Sequence, residues 1–397
     1  MNPGGEIASP ASRVAVIGGG IVGAAAALLA QRSGAQVALF EVNPPTLDEP
    51  PLATPADLSS WPIRHVALAP ASLALLETLG VAQNFAHGVF TRMQVWEEWG
   101  TACLRFDAAE LSRGELGWMA ELPSLLAALW RRVREVDSIV PVLAEPVTAL
   151  SRNADQSWTL RYGEQETVVD LVLAADGARS FIRQALAVGV RQKDTGHHAL
   201  ATVVQTARPH QQVARQRFLL EGPLALLPSR AARVVSIVWS QSSDQAQRRL
   251  GLDDVSFCAE LTEASEAVLG RIESVGQRAG FPIVQQLADA FVPAPGVALL
   301  GDAGHVLHPL AGLGVNLGLE DVAALESVLR EPSRTNWAAW SRQRRARARL
   351  LQDALAALQR TYGSAGPGAS LLRNTGIRLI NGSTLLRRVL VREALGL

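Results

Sequence analysis

Gly18, Gly20 and Gly23 lie in the run GGGIVG at the spacing GxGxxG, and Glu41 closes the apolar run VALFE that follows. In a dinucleotide site the first glycine permits a tight turn, the second lets main chain approach a pyrophosphate, and the third lets helix and strand pack closely. An acid at the end of the next strand accepts hydrogen bonds from an adenosine ribose and repels a 2′-phosphate. These four residues predict an adenine dinucleotide, either FAD or NAD. A second glycine-rich stretch, GDAGHVLHPLAGLGVNLG at 301–318, separates the two. It stands between the apolar run VALL and a segment with helical spacing, so it exposes main-chain N–H groups and a helix N-terminus that suit an anion. Reduced flavin becomes such an anion around N1 and C2=O. The stretch therefore points to FAD, with Asp302 accepting from a ribityl hydroxyl and the helix that begins near Asn316 facing the ring. His305 and His308 are candidates for acid or base work, although histidines in such a loop more often fix its conformation by hydrogen bonds.

The elements needed to position these groups are legible nearby. Val14 to Ile17 reads as a short buried strand, AAAALLAQRSG as a helix and VALFE as a second strand, a complete βαβ unit. NPPTLDEPPLATPADLSS reads as a long surface loop, and a helix is expected from Ser72 to Gly80. VTALS, SWTLRY and VVDLVLAA alternate between turn signals, which predicts an antiparallel meander over 147–174. Strand-like runs fill 197–240, a helix is expected from Val255 to Gln277, and Val297 to Leu300 reads as a strand before a helix over Val315 to Leu329. Beyond 330 the chain reads as helical and arginine-rich.

On these motifs the sequence resembles the class A flavin monooxygenases. GGGIVG with Glu41, LVLAADGARSFIR at 171–183 and GDAGHVLHPLAGLGVNLGLED at 301–321 look like that family's three fingerprints, in order. RHVALAPAS, EGPLALLPS, FPIVQQLADAFV and the tail LLRNTGIRLINGSTLLRRVLVREALG are similar to the ubiquinone-biosynthesis hydroxylases. The resemblance implies an α/β fold: a Rossmann-like FAD-binding domain of the glutathione-reductase-like, para-hydroxybenzoate-hydroxylase type, a mixed-sheet substrate domain and a C-terminal helical region. The expected boundaries are 13–190 with 285–330 for the first, 191–284 for the second and 331–397 for the third. It implies that Asp176 and Gly177, with Arg183, help place FAD and the nicotinamide donor, and that Arg64 lies near the phosphates. Pro309 would lie near the flavin ring, and Gly312, Gly314, Val315 and Asn316 along its pyrimidine edge. Two positions depart from the family: Leu313 replaces a usual glutamine and Pro123 a usual arginine.

The implied activity is hydroxylation of an aromatic ring with NADPH or NADH and O2 through a flavin C4a-hydroperoxide, on a polyprenyl phenol of ubiquinone biosynthesis. Another aromatic metabolite, or a catalytically weak flavin-fold subunit of a multienzyme assembly, is the alternative. Phe218, Leu224, Leu226 and Trp239 are apolar candidates for a substrate channel, and the core of a mixed sheet is their expected place. Acidic and basic residues balance at 37 each, so no global field draws nucleic acid. Cys103 and Cys258 form neither a metal-ligand spacing nor a disulfide framework, and no apolar run is long enough to span a bilayer. The expected location is the cytoplasm, and the basic amphipathic segment Ser383 to Ala394 reads either as a terminal helix docked on its own domain or as a peripheral contact to the inner membrane or to a quinone-biosynthesis complex.

Overall fold

The computed structural model describes residues 12–47, 57–83, 85–98, 103–308 and 312–362. Its centre is a five-stranded sheet in the order Val297–Leu299, Leu171–Ala174, Arg13–Ile17 (β1), Gln36–Glu41 (β2), Ile139–Leu143, with every neighbour parallel. Val14, Ala15 and Val16 are buried, as a parallel strand covered on both faces requires. The helix Ile21–Arg32 (α1) lies against this sheet through Ala24 to Ala27, which are completely buried. Methyl-sized side chains let it approach closely, and it also touches the helices Leu122–Arg134 and Leu313–Arg330.

The meander comprises Val147–Arg152, Trp158–Tyr162 and Gln165–Val169. The run VVDLVLAA, expected to be one strand of it, divides at Asp170. That side chain accepts hydrogen bonds from the Arg13 main-chain N–H at 2.9 Å and from Arg13 Nη2 at 2.8 Å. Chain beyond Asp170 is thereby drawn beside β1, and Leu171–Ala174 enters the parallel sheet.

A larger sheet runs His305–Val306, Ala279–Ala288, Val190–Thr206, Val234–Ser242, Gly222–Pro228, Val213–Leu219, Arg92–Glu97, Cys103–Asp107, with Ile272–Val275 also on Val190–Thr206. Strand pairing therefore crosses the boundaries expected at 191 and 284: three of its strands come from 92–97, 103–107 and 305–306. The junction is a parallel pairing of Val213–Leu219 with Arg92–Glu97, a long-range contact that local periodicity does not encode. The helix expected to reach Gln277 stops at Ala264. Glu266, Ala267 and Gly270 take positive φ, and Thr262 Oγ1 accepts the Ile272 N–H at 2.9 Å, which turns Ile272–Val275 onto the sheet edge.

The pleat of this sheet settles where the apolar candidates go. Leu224, Leu226 and Trp239 join Leu200 and Ile237 on one face, packed on Phe257 and Leu261, and Phe218 is buried in the main core. All four are core. Their neighbours in sequence, Ala225, Leu227 and Val238, face the opposite way and line a cavity with Ala199 and Ala201. A long helix, Arg334–Tyr362, packs behind the glycine-rich loop. No helix of the described residues is long and apolar enough to cross a membrane. The segment 383–394 lies outside the described residues.

Candidate active site

Gly18 takes φ +96°, and a Cβ there would stand 2.3 Å from the Ala175 carbonyl oxygen and 3.0 Å from the Asp176 Cα. A Cβ at Gly23 would come within 1.8 Å of the Gly18 oxygen. Both glycines are required by close packing of backbone on backbone. Gly20, which caps α1, differs: a Cβ there meets nothing within 4 Å, so the helix N-terminus borders open space. Gly19, not singled out by spacing, is held from two sides. Its N–H donates to Glu41 Oε2 at 2.6 Å, and its carbonyl accepts from Trp130 Nε1 at 2.7 Å. The other Glu41 oxygen accepts from the Asn43 N–H at 2.8 Å.

The three motifs converge. Gly18 packs on Ala175–Asp176, and a Cβ at Gly318 would come within 2.6 Å of Val22, the residue between Ile21 and Gly23. Arg183, buried, donates from Nη2 to the Ala178 carbonyl at 2.6 Å and from Nη1 to the Ala303 carbonyl at 2.9 Å. It joins the loop after Leu171–Ala174 to the loop after Val297–Leu299. A Cβ at Gly177 would meet nothing within 4 Å. Burial raises the Asp176 carboxyl above the usual carboxylate range, against the pull of Ser180 and the Ile182 N–H.

Asp302 sits in the single helical turn Gly301–Ala303, where crowding by protein raises its carboxyl while His305 and Arg64 pull the other way. The helix starts at Leu313, earlier than the spacing predicted, after Gly312 in the left-handed region at φ 64°. Among the described residues no side chain caps it, and a Cβ at Gly314 would meet nothing within 4 Å, so its first N–H groups border open space. Asn316 does not line this space. It accepts from the Ala69 N–H and Ser72 Oγ at 2.9 and 2.7 Å and donates to the Ala67 carbonyl at 2.7 Å, which fastens the helix to the strand His65–Leu68. Pro309 lies outside the described residues.

The histidines part company. His305 Nε2 donates to Asp321 Oδ2 at 2.6 Å, and Asp321 also accepts from the Gly301 N–H at 3.0 Å and Arg344 Nε at 2.7 Å. Asp321 is completely buried. Burial alone would raise its carboxyl, yet His305 and Arg344 hold it below the usual range. This cluster fixes the loop from behind, and His305 is absent from the cavity wall. His308 does line the cavity, and burial together with His197 pushes it down to about 4. His65, which sequence reasoning missed, lines it too and is likewise pushed down to about 4, by burial and by Arg230.

That cavity, of about 420 Å³, is bounded on one side by Arg64, Asp302, Gly312, Gly314 and Val315 and on the other by the alanine-bearing face of the large sheet. Arg64 lies at its mouth, with its guanidinium 5.8 Å from the Phe281 ring centre. A larger cleft of about 780 Å³ opens between Asp254–Ala264 and Ile272–Val275, but none of the glycine-motif residues borders it. The open cradle at Gly20, the first N–H groups at Leu313–Val315 and the carboxyls of Glu41 and Asp302 fit an extended flavin dinucleotide with an anionic ring edge. Among the described residues there is no cluster of His, Cys, Asp and Glu suited to a metal.

Comparison with known proteins agrees with this geometry. The family described as FAD binding domain matches residues 11–354. The chain is 31% identical to the 3-demethoxyubiquinol 3-hydroxylase of Escherichia coli (strain K12), covering 97% of this chain and 99% of that one. It is also 31% identical to the ubiquinone hydroxylase UbiL of Rhodospirillum rubrum, covering 99% and 92%. The crystal structure of p-nitrophenol 4-monooxygenase PnpA from Pseudomonas putida DLL-E4 shares the fold, with a TM-score of 0.77 at 17% identity over 97% and 98% of the two chains. With the family matched over most of its length and near full-length identity to these hydroxylases, the chain belongs to the FAD-binding class A flavin monooxygenases, in the ubiquinone-biosynthesis hydroxylase branch.

Proposed function

We propose that this protein hydroxylates the ring of a polyprenyl phenol in ubiquinone biosynthesis, with FAD as cofactor, NADPH or NADH as electron donor and O2 as oxygen source. The observation that carries the reading is one continuous cavity, walled by the helix start at Gly312–Val315 and Asp302 on one side and by an apolar sheet face on the other. FAD, when bound and reduced, supplies the activation of O2. The chain's own residues do the rest. Gly20 receives the pyrophosphate at the start of α1, and Gly18 and Gly23 allow the close packing that forms this turn. Glu41 keeps lone pairs for the adenosine ribose beyond those that accept from Gly19 and Asn43. Asp302 takes a ribityl hydroxyl, Gly312, Gly314 and Val315 the ring edge, Arg64 the phosphate side, and Arg183 keeps the Asp176–Gly177 loop in register with Asp302. Ala199, Ala201, Ala225, Leu227 and Val238 hold the phenol in an apolar space that excludes water and so favours transfer to the ring over release of hydrogen peroxide.

In this reading the residues 13–190 with 285–330 hold the cofactor and 191–284 supply most of the substrate wall. A substrate dissolved in the bilayer favours peripheral contact with the inner membrane, and the basic, apolar composition of 383–394 suits such a contact. Purified protein given FAD, NAD(P)H and a short-chain prenylated phenol is expected to yield a product heavier by one oxygen atom, read by mass spectrometry. Flavin reduction without oxygenated product from any prenylated phenol would overturn the assignment and favour the subunit reading.

A further inference from the structure

Both ring nitrogens of His65 and of His308 are covered by protein and have no hydrogen-bond partner among the described residues. Buried polar atoms left in this way cost stability, and where two such residues border one cavity a ligand is the natural partner. Their placement is specific. His65 is two residues from Ala67 on the same strand, so the two side chains share a face, and the Ala67 Cβ is the atom that a Cβ at Gly312 would meet at 2.8 Å. His308 stands four residues before Gly312 in the chain and lines the same cavity. Both imidazoles therefore stand at the flavin-loop end of the cavity, where the chemistry of the proposed function takes place.

The remaining polar groups narrow the class of ligand. Arg64, Asp302 and Arg215 are the charged residues of the wall. Arg64 and Asp302 belong to the cofactor side, and Arg215 Nη1 donates to the carbonyls of His210 and Val213 at 3.0 and 3.3 Å. Inside, the wall offers His65, His308 and Gln216 among apolar side chains. Arg215 is the fixed cation on the sheet side of this wall, and its Nε is likewise without a hydrogen-bond partner among the described residues. Burial keeps both imidazoles neutral near pH 7, and a neutral imidazole accepts at one nitrogen and donates at the other, which matches a hydroxyl group. A turn about χ2, a broad torsion, would bring a nitrogen to the cavity without displacing the ring.

Resting on the hydroxylase reading, we propose that His65 and His308 recognise the ring hydroxyls of the substrate, so that the cavity selects an uncharged phenol with a free O–H next to its apolar tail. The test titrates the FAD-loaded protein with 2-prenylphenol and with its methyl ether, following the flavin absorbance. The wild type is expected to bind the phenol about tenfold more tightly than the ether. His65→Leu and His308→Leu each reduce that preference, and the double variant abolishes it, with FAD affinity unchanged. His65→Gln and His308→Gln, which keep a donor and an acceptor, retain part of it and carry the comparison if either Leu variant loses flavin. Equal binding of phenol and ether by the wild type, or a full preference in the double variant, overturns the proposal. Phenol selectivity without oxygenated product would instead remove the hydroxylase reading and leave the recognition standing.

Discussion

At Gly23 a single added carbon would stand 1.8 Å from the Gly18 carbonyl oxygen, while at Gly20 it would touch nothing within 4 Å. The two glycines therefore separate folding from ligand binding. Gly23→Ala is expected to destabilise the protein by a few kcal/mol, about 2–4, because backbone must move. Gly20→Ala should leave the unfolding midpoint of the apoprotein unchanged and weaken FAD binding about tenfold or more by crowding the pyrophosphate. Urea denaturation and flavin fluorescence read the two effects separately. His65 and His308 make a second prediction at this scale. Both drop from 6.5 to about 4 on folding, so between those values the unfolded chain binds more protons and stability falls as pH falls. The loss is at most about 3 kcal/mol for each group and is complete once pH passes below the folded value. Urea midpoints compared at about pH 7 and about pH 5 should show it, and His65→Leu with His308→Leu should flatten the slope.

Between elements, the decisive joints are buried polar side chains. Asp321 on Leu313–Arg330 ties together the Gly301 N–H, His305 and Arg344 of the long helix behind. Asp321→Asn removes the carboxylate at Arg344 Nε and leaves Glu320, 3.1 Å from Nη2, as its remaining ion-pair partner, a loss of about 1.5–3 kcal/mol by equilibrium denaturation. Arg344→Met added to it should recover part of that loss, since a buried cation short of one of its two carboxylates is gone. Arg183 works differently, since it bridges two loop carbonyls instead of a charge. Arg183→Met is expected to raise the FAD dissociation constant about tenfold by letting the Asp176 and Asp302 loops drift apart, read by flavin release on dilution.

For the whole molecule, the substrate space exists because two sheets meet over the cofactor loops and one of them presents alanine there. Ala225→Phe directs a ring into the cavity of about 420 Å³ from the sheet side, away from Asp302 and Gly312 on the opposite wall. The flavin spectrum should persist while phenol-stimulated NAD(P)H oxidation falls about tenfold or more. If flavin is lost as well, the sheet face belongs to the cofactor pocket and the division of the cavity must be redrawn.

The amino-acid sequence alone determined the cofactor, FAD, and the strand-turn-helix units expected to hold it. GGGIVG, Glu41, Asp176–Gly177 and the loop from Gly301 are local signals: close packing and helix starts leave their mark within a few residues, so spacing reveals them. It also determined the strands over 197–240, because period-two alternation is local. Which face of those strands meets solvent, core or cavity was decided by tertiary structure, since Leu224 and Ala225 differ only in direction and the partner on each side comes from far along the chain. The same holds for the strands 92–97 and 103–107 that complete the large sheet, for the early end of the helix at Ala264, and for the roles of the histidines. His305 became a loop fastener because its Nε2 donates to Asp321, which Arg344 also holds, and His65 became a cavity residue because folding carried it to the end of the cavity where Gly312 stands. Contacts between residues distant in sequence assign those roles, and no local pattern contains them.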